Sequence, residues 1–276
     1  MSQKTTRPPA VSGTFYPSDP EQLRADIQGY LSGQKAETKR KPKFLIVPHA
    51  GYYYSGEVAA AAFIEVAGYS YDQIFLLGPS HHYSFSGALL DGADFWETPL
   101  GKVEIRSAKL LNAKSLGFAQ NQAYHAPEHS LEVQIPFIQE VLPEAPITPI
   151  LLSGGMGVAR AIATELEGLK GDNLIVVSTD FNHAGPRFGY EPEKEGWGTG
   201  TQLDEQACRI IEGGDTGEFR DFNLKYQCTI CGNLPVLTAM LLAKSKGLEN
   251  FKLKTYSNSA AKTGGPDSVG YAALYL

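Results

Sequence analysis

Three short apolar runs in the chain each lead into a polar residue that can take part in chemistry. Their ranges are 44–49, 74–81 and 174–180, and they end in His49, His81 and Asp180. Continuous apolar runs of this length, bounded by turn residues, are typical of strands in a parallel sheet that helices cover on both faces. Ligands bind at the carboxyl ends of such strands. The pattern therefore predicts one site, assembled from residues that are far apart in the sequence.

Segments with helical character alternate with these runs. Ser18 or Asp19 can cap a helix that extends to residue 31, and the alanine-rich segment 58–67 favours a helix after a loop over 51–56. A hairpin or sheet edge is predicted over 85–101. Further strands are predicted at 147–152, 251–258 and 268–276, and further helices at 107–116, 131–142, 158–169, 202–212, 216–224 and 233–244. The alternation predicts an α/β fold with a central, mostly parallel or mixed sheet flanked by helices, in a single domain over residues 1–276.

Composition and charge argue against several functional classes. The 276 residues carry a net charge of −6 and no basic run longer than Lys39-Arg40-Lys41, which argues against nucleic-acid binding. The three cysteines cannot form a disulfide framework. We expect neither a signal peptide nor a membrane span, and therefore a cytoplasmic protein without a membrane or nucleic-acid partner.

The histidines are concentrated in a few loops. All six lie in four loops, at positions 49, 81/82, 125/129 and 183. A single histidine often serves only as a structural hydrogen-bond donor, but three strand ends that each carry a His or an Asp favour a joint site. Imidazole binds zinc, iron, copper and nickel. His49, His81 and one anionic residue would provide three protein ligands with positions left open, as in catalytic metal sites.

Asp180 and His183 follow the third apolar run directly. They could supply a metal ligand, or a carboxylate that orients a histidine acting as a general acid or base. Asp180 could equally cap a helix or form an Asx turn.

The cysteines allow more than one interpretation. Cys228 and Cys231 lack the second pair that a zinc ribbon needs, and they lie too late in the chain for a thioredoxin-type motif. Cys231 precedes a predicted helix, whose N-terminus would stabilise a thiolate and favour a ligand or nucleophile, although a structural role stays open. Cys208 lies on an amphipathic helix and is interpreted as a core residue.

Five motifs, in order over nearly the whole chain, resemble those of the Memo family. They are Pro48-His49-Ala50-Gly51-Tyr52, Gly78-Pro79-Ser80-His81-His82, Glu128-His129-Ser130-Leu131-Glu132, Ser178-Thr179-Asp180-Phe181-Asn182-His183 and Thr229-Ile230-Cys231-Gly232. The resemblance implies a fold similar to that of the class III extradiol dioxygenases, which hold one non-haem iron. Eukaryotic members of the family take their name from mediating ErbB-driven cell motility. Prokaryotic members are often grouped with an AMMECR-type protein and a radical SAM protein, which the resemblance therefore implies as partners.

The resemblance also implies roles for individual residues. His49, His81 and Cys231 are the implied metal ligands, and Asp180 and His183 line the same pocket, with His183 favoured for proton transfer. Glu128 and His129 also belong to the family pattern and are expected at the rim of the pocket or in its outer sphere. His82, Tyr52 and Tyr54 are further candidates for substrate or outer-sphere positions.

The third implied ligand departs from the dioxygenase pattern. The dioxygenases use two histidines and a carboxylate, whereas here Cys231 takes the place of the carboxylate. A thiolate is a softer ligand, so we expect one divalent ion, with iron or copper favoured and zinc possible. Ring cleavage cannot simply be inherited with the fold.

Two functional hypotheses follow. The first is metal-dependent redox or oxygenase-type chemistry on a small organic substrate, with Tyr52, Tyr53 and Tyr54 either at the entrance of the site or partly in the core. The alternative is a non-enzymatic module that binds a peptide or protein in the same cleft. Purely structural zinc ranks last, because structural zinc usually has four protein ligands.

Overall fold

The computed structural model describes residues 4–107, 118–248 and 250–276. Its helices are α1 (Pro20–Ser32), α2 (Tyr52–Phe63), α3 (Gln122–His125), α4 (Ile135–Val141), α5 (Met156–Glu167), α6 (Gly200–Gly213), α7 (Thr216–Lys225), α8 (Asn233–Ser245) and α9 (Ala260–Thr263). Its strands are β1 (Thr6–Arg7), β2 (Phe44–Val47), β3 (Gln73–Pro79), β4 (Gly87–Leu90), β5 (Phe95–Thr98), β6 (Gly101–Glu104), β7 (Phe118–Gln120), β8 (Ile147–Ser153), β9 (Asn173–Ser178), β10 (His183–Ala184), β11 (Lys252–Asn258) and β12 (Ser268–Tyr275).

The main sheet is mixed, with a parallel centre. Its strand order is β10-β12-β2-β9-β3-β8-β4-β7, and β11 pairs with β12 outside this path. The neighbours β2, β9, β3 and β8 run parallel, whereas β12 and β4 join them antiparallel. Val47 pairs with Ser178, and Leu77 pairs with Val177. The three predicted strand ends therefore meet at one edge of the sheet.

Helices cover both faces of this sheet, which explains the continuous apolar runs. Because side chains alternate along a strand, Phe44 and Ile46 pack into one core and Leu45 and Val47 into the other. The first core contains side chains of α5, α6, α7 and α8, and the second contains those of α1, α2 and α4. The predicted α/β fold with a mixed sheet between helices is confirmed.

Helix α1 begins as predicted, whereas α2 begins earlier. Of the two candidate caps, Asp19 accepts a hydrogen bond from the backbone N–H of Gln22 at 2.8 Å. Helix α2 begins at Tyr52, not at residue 58, because the carbonyl of Gly51 already accepts the first helical hydrogen bonds. The predicted loop over 51–56 is therefore wrong.

The predicted hairpin or edge over 85–101 corresponds to two structures. Strand β4 belongs to the main sheet, where it pairs antiparallel with β8 next to the last strand, β7. Strands β5 and β6 form a hairpin in a smaller sheet with β1. The helix predicted over 107–116 lies outside the described residues except for Ser107. The single domain over 1–276 stays a prediction.

Asp204 on α6 joins the turn after β9 to strand β11. Its Oδ1 accepts hydrogen bonds from the backbone N–H of Asn182 at 3.0 Å and from Asn182 Nδ2 at 2.7 Å. Its Oδ2 accepts one from the hydroxyl of Tyr256 at 2.7 Å. Burial raises the pKa of this carboxyl to about 7, although these hydrogen bonds act in the opposite direction.

Asp204 should make the stability of the metal-free protein decrease as pH rises. The folded state holds the proton up to about pH 7, whereas the unfolded chain releases it near the ordinary value, so the folded state binds more protons in between. We expect Asp204→Asn to remove a slope of at most about 1.4 kcal/mol per pH unit between about pH 4 and pH 7. Urea unfolding of both proteins across this range measures the difference. Parallel pH profiles would contradict the assignment.

Candidate metal centre

Three potential ligands converge at the carboxyl edge of the sheet. His49 follows β2, His81 follows β3, and Cys231 lies just before α8. One ligand atom from each residue lies within 4.8 Å of those of the other two. The Nε2 of His49 is 3.1 Å from the Sγ of Cys231, and the ring centres of His49 and His81 are 5.1 Å apart. Two imidazoles and one thiol at such distances suit a single transition-metal ion.

Glu128 orients the imidazole of His81. Its Oε1 lies 2.9 Å from His81 Nδ1, and its Oε2 accepts the backbone N–H of His81 at 2.6 Å. Burial alone would raise the pKa of Glu128, but the hydrogen bonds and charge of His81 and the N–H of Ser130 lower it well below its usual range. An ionised carboxylate at Nδ1 leaves Nε2 of His81 free for a metal ion, as in carboxylate–histidine–metal triads.

Cys231 is held by the backbone around Asp180. Its Sγ accepts the backbone N–H of Asp180 at 3.1 Å. Gly232 lies so close to Thr179 that an added Cβ would be 2.4 Å from the threonine Cβ, which explains the small residue after the cysteine. Burial and the charge of Asp180 raise the pKa of the Cys231 thiol. A bound cation would reverse this effect, because a coordinating thiol is deprotonated.

Asp180 lines the same region, but it orients backbone and not a histidine. Its Oδ1 accepts the backbone N–H groups of His49 at 2.8 Å and Ala50 at 3.2 Å. Burial raises its pKa to about 7, although these hydrogen bonds lower it. The carboxylate thus holds the end of β2 against β9, and no hydrogen bond among the described residues joins it to His183.

His183 presents an unpaired polar group. Its backbone N–H donates to the hydroxyl of Thr229 at 2.8 Å, which positions the residue. Its Nε2 is buried and has no hydrogen-bond partner among the described residues. Burial, together with the nearby charge of His81, lowers the pKa of His183. The lowered pKa favours the neutral ring, which can exchange a proton with a bound molecule.

His129 lies beside the three potential ligands. Its ring centre is 4.5 Å from that of His81 and 5.5 Å from that of His49. Burial and the charge of His81 lower its pKa to about 4. His81, Glu128 and His129 form a second group with metal-ligand spacing. Because that group shares His81, and Glu128 already holds the Nδ1 of His81, it is better described as the support of the first group.

The remaining predicted site residues occupy different environments. Tyr52 is buried, and its hydroxyl donates to the carbonyl of Val133 at 2.7 Å. Of the two predicted locations for the tyrosines, the entrance of the site or the core, Tyr52 therefore occupies the core. Tyr53 and Tyr54 are 65% and 38% exposed. His82 is exposed, with its ring centre 6.5 Å from that of His129.

Sequence reasoning missed the buried residues behind the site. Arg7 pairs with Glu132 at 2.7 Å, and its guanidinium donates to the carbonyls of His125 and Glu128. Gln134 lies between the ends of β2 and β9. Glu132 stood inside a recognised motif, whereas a lone Arg near the start of the chain and a Gln on a mainly apolar segment carry no signal of their own.

Comparison with known proteins agrees with the family resemblance of the motifs that meet at the carboxyl edge of the main sheet. The family model described as "Memo-like protein" matches residues 7–275. This chain belongs to the Memo family. Its relatives include a "MEMO1 family protein" of Caldivirga maquilingensis, 34% identical over 98% of both chains, and one of Aquifex aeolicus, 35% identical over 94% of both. "Protein MEMO1" of Rattus norvegicus is 32% identical, covering 95% of this chain and 94% of the relative.

No helix in the described parts of this Memo-family chain combines the length and the apolar character needed to cross a bilayer.

Proposed function

We propose that this Memo-family protein holds one divalent metal ion on His49, His81 and Cys231 and uses it in redox or oxygenase-type chemistry on a small organic substrate. The observation that supports the proposal is the convergence of two imidazole nitrogens and one thiol within 4.8 Å. Three protein ligands leave coordination positions for other molecules. The mixed imidazole and thiolate set favours iron or copper, with zinc as a further candidate.

The ion, when bound, would supply Lewis-acid or one-electron redox chemistry. The chain's own residues would position the ligands, transfer protons and donate hydrogen bonds. Asp180 and Glu128 keep the two histidines in place through the hydrogen bonds described above. His183 is our candidate for proton transfer, because its buried Nε2 has no hydrogen-bond partner among the described residues. His129, neutral because its pKa is lowered to about 4, can offer a hydrogen bond at the rim.

A second candidate function is binding without turnover. Tyr53 and Tyr54 are exposed at the start of α2, with ring centres 5.0 Å apart and the ammonium group of Lys262 5.1 Å from the ring of Tyr53. Exposed aromatic side chains beside a cation are common at binding surfaces. They support a peptide- or protein-binding module as the alternative.

The proposed protein partners rest on the family resemblance, whereas the proposed location and the exclusion of nucleic-acid and membrane partners rest on the composition and charge of the chain. We propose AMMECR-type and radical SAM proteins as protein partners, and the cytoplasm as the compartment, with no nucleic-acid or membrane partner.

The test is the metal content of protein purified without oxygen. Elemental analysis identifies the ion, and electron paramagnetic resonance after addition of nitric oxide reports open coordination positions on iron. Stoichiometric iron with an iron–nitrosyl signal supports the redox proposal and leads to oxygen-consumption screens. Protein that is metal-free and also fails to bind added iron or copper would favour the binding module.

A further inference from the structure

The imidazole of His49 has two nitrogens, and only the one without a hydrogen can bind a metal ion. Its Nε2 faces Cys231 Sγ at 3.1 Å, and its Nδ1 faces Ser178 Oγ at 3.1 Å. The tautomer of this ring therefore decides whether His49 is a ligand. The groups behind the ring determine the tautomer.

Ser178 has one hydroxyl hydrogen, and the buried groups around it show where this hydrogen goes. Its Oγ is 2.5 Å from the carbonyl oxygen of Ser130, which only accepts, so the hydrogen must lie between these two oxygens. The side-chain amide of Gln134 donates from Nε2 to Ser178 Oγ at 2.9 Å and to the carbonyl of Pro48 at 2.8 Å. Since the Pro48 carbonyl can only accept, the orientation of the amide is fixed as well. Ser178 can therefore only accept from the Nδ1 of His49.

We propose that Ser178, held by Ser130 and Gln134, fixes His49 as the Nδ1–H tautomer and so presents its bare Nε2 to the metal ion. These three are positioning residues, since they contact the ring of His49 or each other and act on the proposed ion only through His49. This inference rests on the proposed function, because the tautomer of His49 matters for function only if His49 binds the proposed metal ion. The tautomer itself can be measured without metal.

Ser130 connects the supports of both histidine ligands. Its backbone N–H donates to Glu128 Oε1 at 2.9 Å, and the same oxygen faces Nδ1 of His81. Its hydroxyl donates to the carbonyl of Pro79 at 3.0 Å, and its carbonyl accepts the hydroxyl of Ser178. One fully buried loop residue therefore sets the hydrogen-bond partners of both rings.

Substituting Ser178→Ala tests the proposal because it removes the acceptor for His49 Nδ1–H. Nitrogen NMR of metal-free protein labelled with ¹⁵N-histidine should show His49 as the Nδ1–H tautomer in the wild type and a shift toward the other tautomer in the variant. Titration with Co²⁺, followed by absorption, should show an affinity about 10- to 100-fold lower in the variant. The His49→Ala spectrum identifies the His49 signals.

Two controls separate positioning from general damage. Thr148→Val removes another fully buried hydroxyl of the same sheet, which donates to the carbonyl of Arg106 at 2.8 Å near the start of β8. It should leave both the tautomer and the Co²⁺ affinity at wild-type values. Ser178→Thr keeps a hydroxyl and should retain the wild-type tautomer.

The outcomes distinguish this inference from the proposed function. An unchanged tautomer and unchanged Co²⁺ affinity in folded Ser178→Ala would overturn the inference. Wild-type protein that binds no Co²⁺ counts against the proposed metal site, whereas the tautomer measurement still decides the inference. If Ser178→Ala does not fold, Gln134→Leu replaces it: the expected shift has the same direction and smaller size, and no shift would overturn the inference.

Discussion

Replacing His49 with alanine or Cys231 with serine should each reduce the metal content of purified protein from about one ion per chain to less than about a tenth of an ion. Two remaining ligands hold a divalent ion much more weakly than three. A serine hydroxyl, moreover, does not ionise near neutral pH and replaces a soft thiolate with a poor ligand. Elemental analysis of the folded variants measures the effect.

Cys228→Ser is the matched control for this experiment. Cys228 is half-buried and lies three residues before Cys231, but it does not belong to either group with metal-ligand spacing among the described residues. Its substitution should leave the metal content at the wild-type level. Wild-type metal content in folded His49→Ala and Cys231→Ser would show that the ligand set is wrong.

Glu132→Gln should destabilise the protein by about 3–5 kcal/mol, because it leaves the buried charge of Arg7 without its partner. Both side chains are almost completely buried, at 3% and 1% exposure. The carboxylate also accepts hydrogen bonds from the backbone N–H groups of Ala10 and Val11 and from the hydroxyl of Tyr16. An amide cannot accept on both of its terminal atoms, so several donors would lose their partner together.

A second Arg–Glu pair provides the control for that prediction. Arg24 pairs with Glu140 at 2.9 Å, but the arginine side chain is 49% exposed. Glu140→Gln should therefore cost only about 0–1 kcal/mol. Urea unfolding of both metal-free variants measures the two losses, and a loss in Glu132→Gln no larger than in Glu140→Gln would contradict the buried-pair argument.

The Arg7–Glu132 pair also bears on the candidate site. Arg7 donates from Nη2 to the carbonyl of Glu128 at 2.8 Å and from Nε to that of His125 at 2.9 Å. The pair thus fastens the loop that carries Glu128, the carboxylate at His81 Nδ1. A stability defect in Glu132→Gln should therefore be accompanied by weaker metal binding.

The sequence allowed the fold and much of the candidate site to be predicted. The apolar runs identified the central strands because helices bury both faces of a parallel sheet. Side chains on both faces of such a strand are therefore apolar, and polar residues do not alternate with them. The polar residues that end these runs converge because parallel strands share one carboxyl edge. The prediction that Cys231 is a metal ligand depended on the family resemblance, since a lone cysteine before a helix has several interpretations.

Hydrogen-bond partners were the part that the sequence could not supply. Asp180 and His183 are three residues apart, yet the carboxylate of Asp180 bonds the backbone of His49 and Ala50. Tyr52 and Tyr54 are two residues apart in one helix, yet only Tyr52 faces the core, because that separation places the two side chains on different sides of the helix.

By itself, then, the sequence determined the alternation of strands and helices, the edge of the sheet at which the polar residues meet, and the family. Only the tertiary structure decided which nitrogen of His49 is presented to Cys231, because Ser178, Ser130 and Gln134 come from other parts of the chain. The hydrophobic periodicity of a segment shows which of its side chains are buried. The hydrogen-bond partner of a buried polar atom depends instead on which segments lie next to each other, here on the order of β2, β9 and β3 in the sheet.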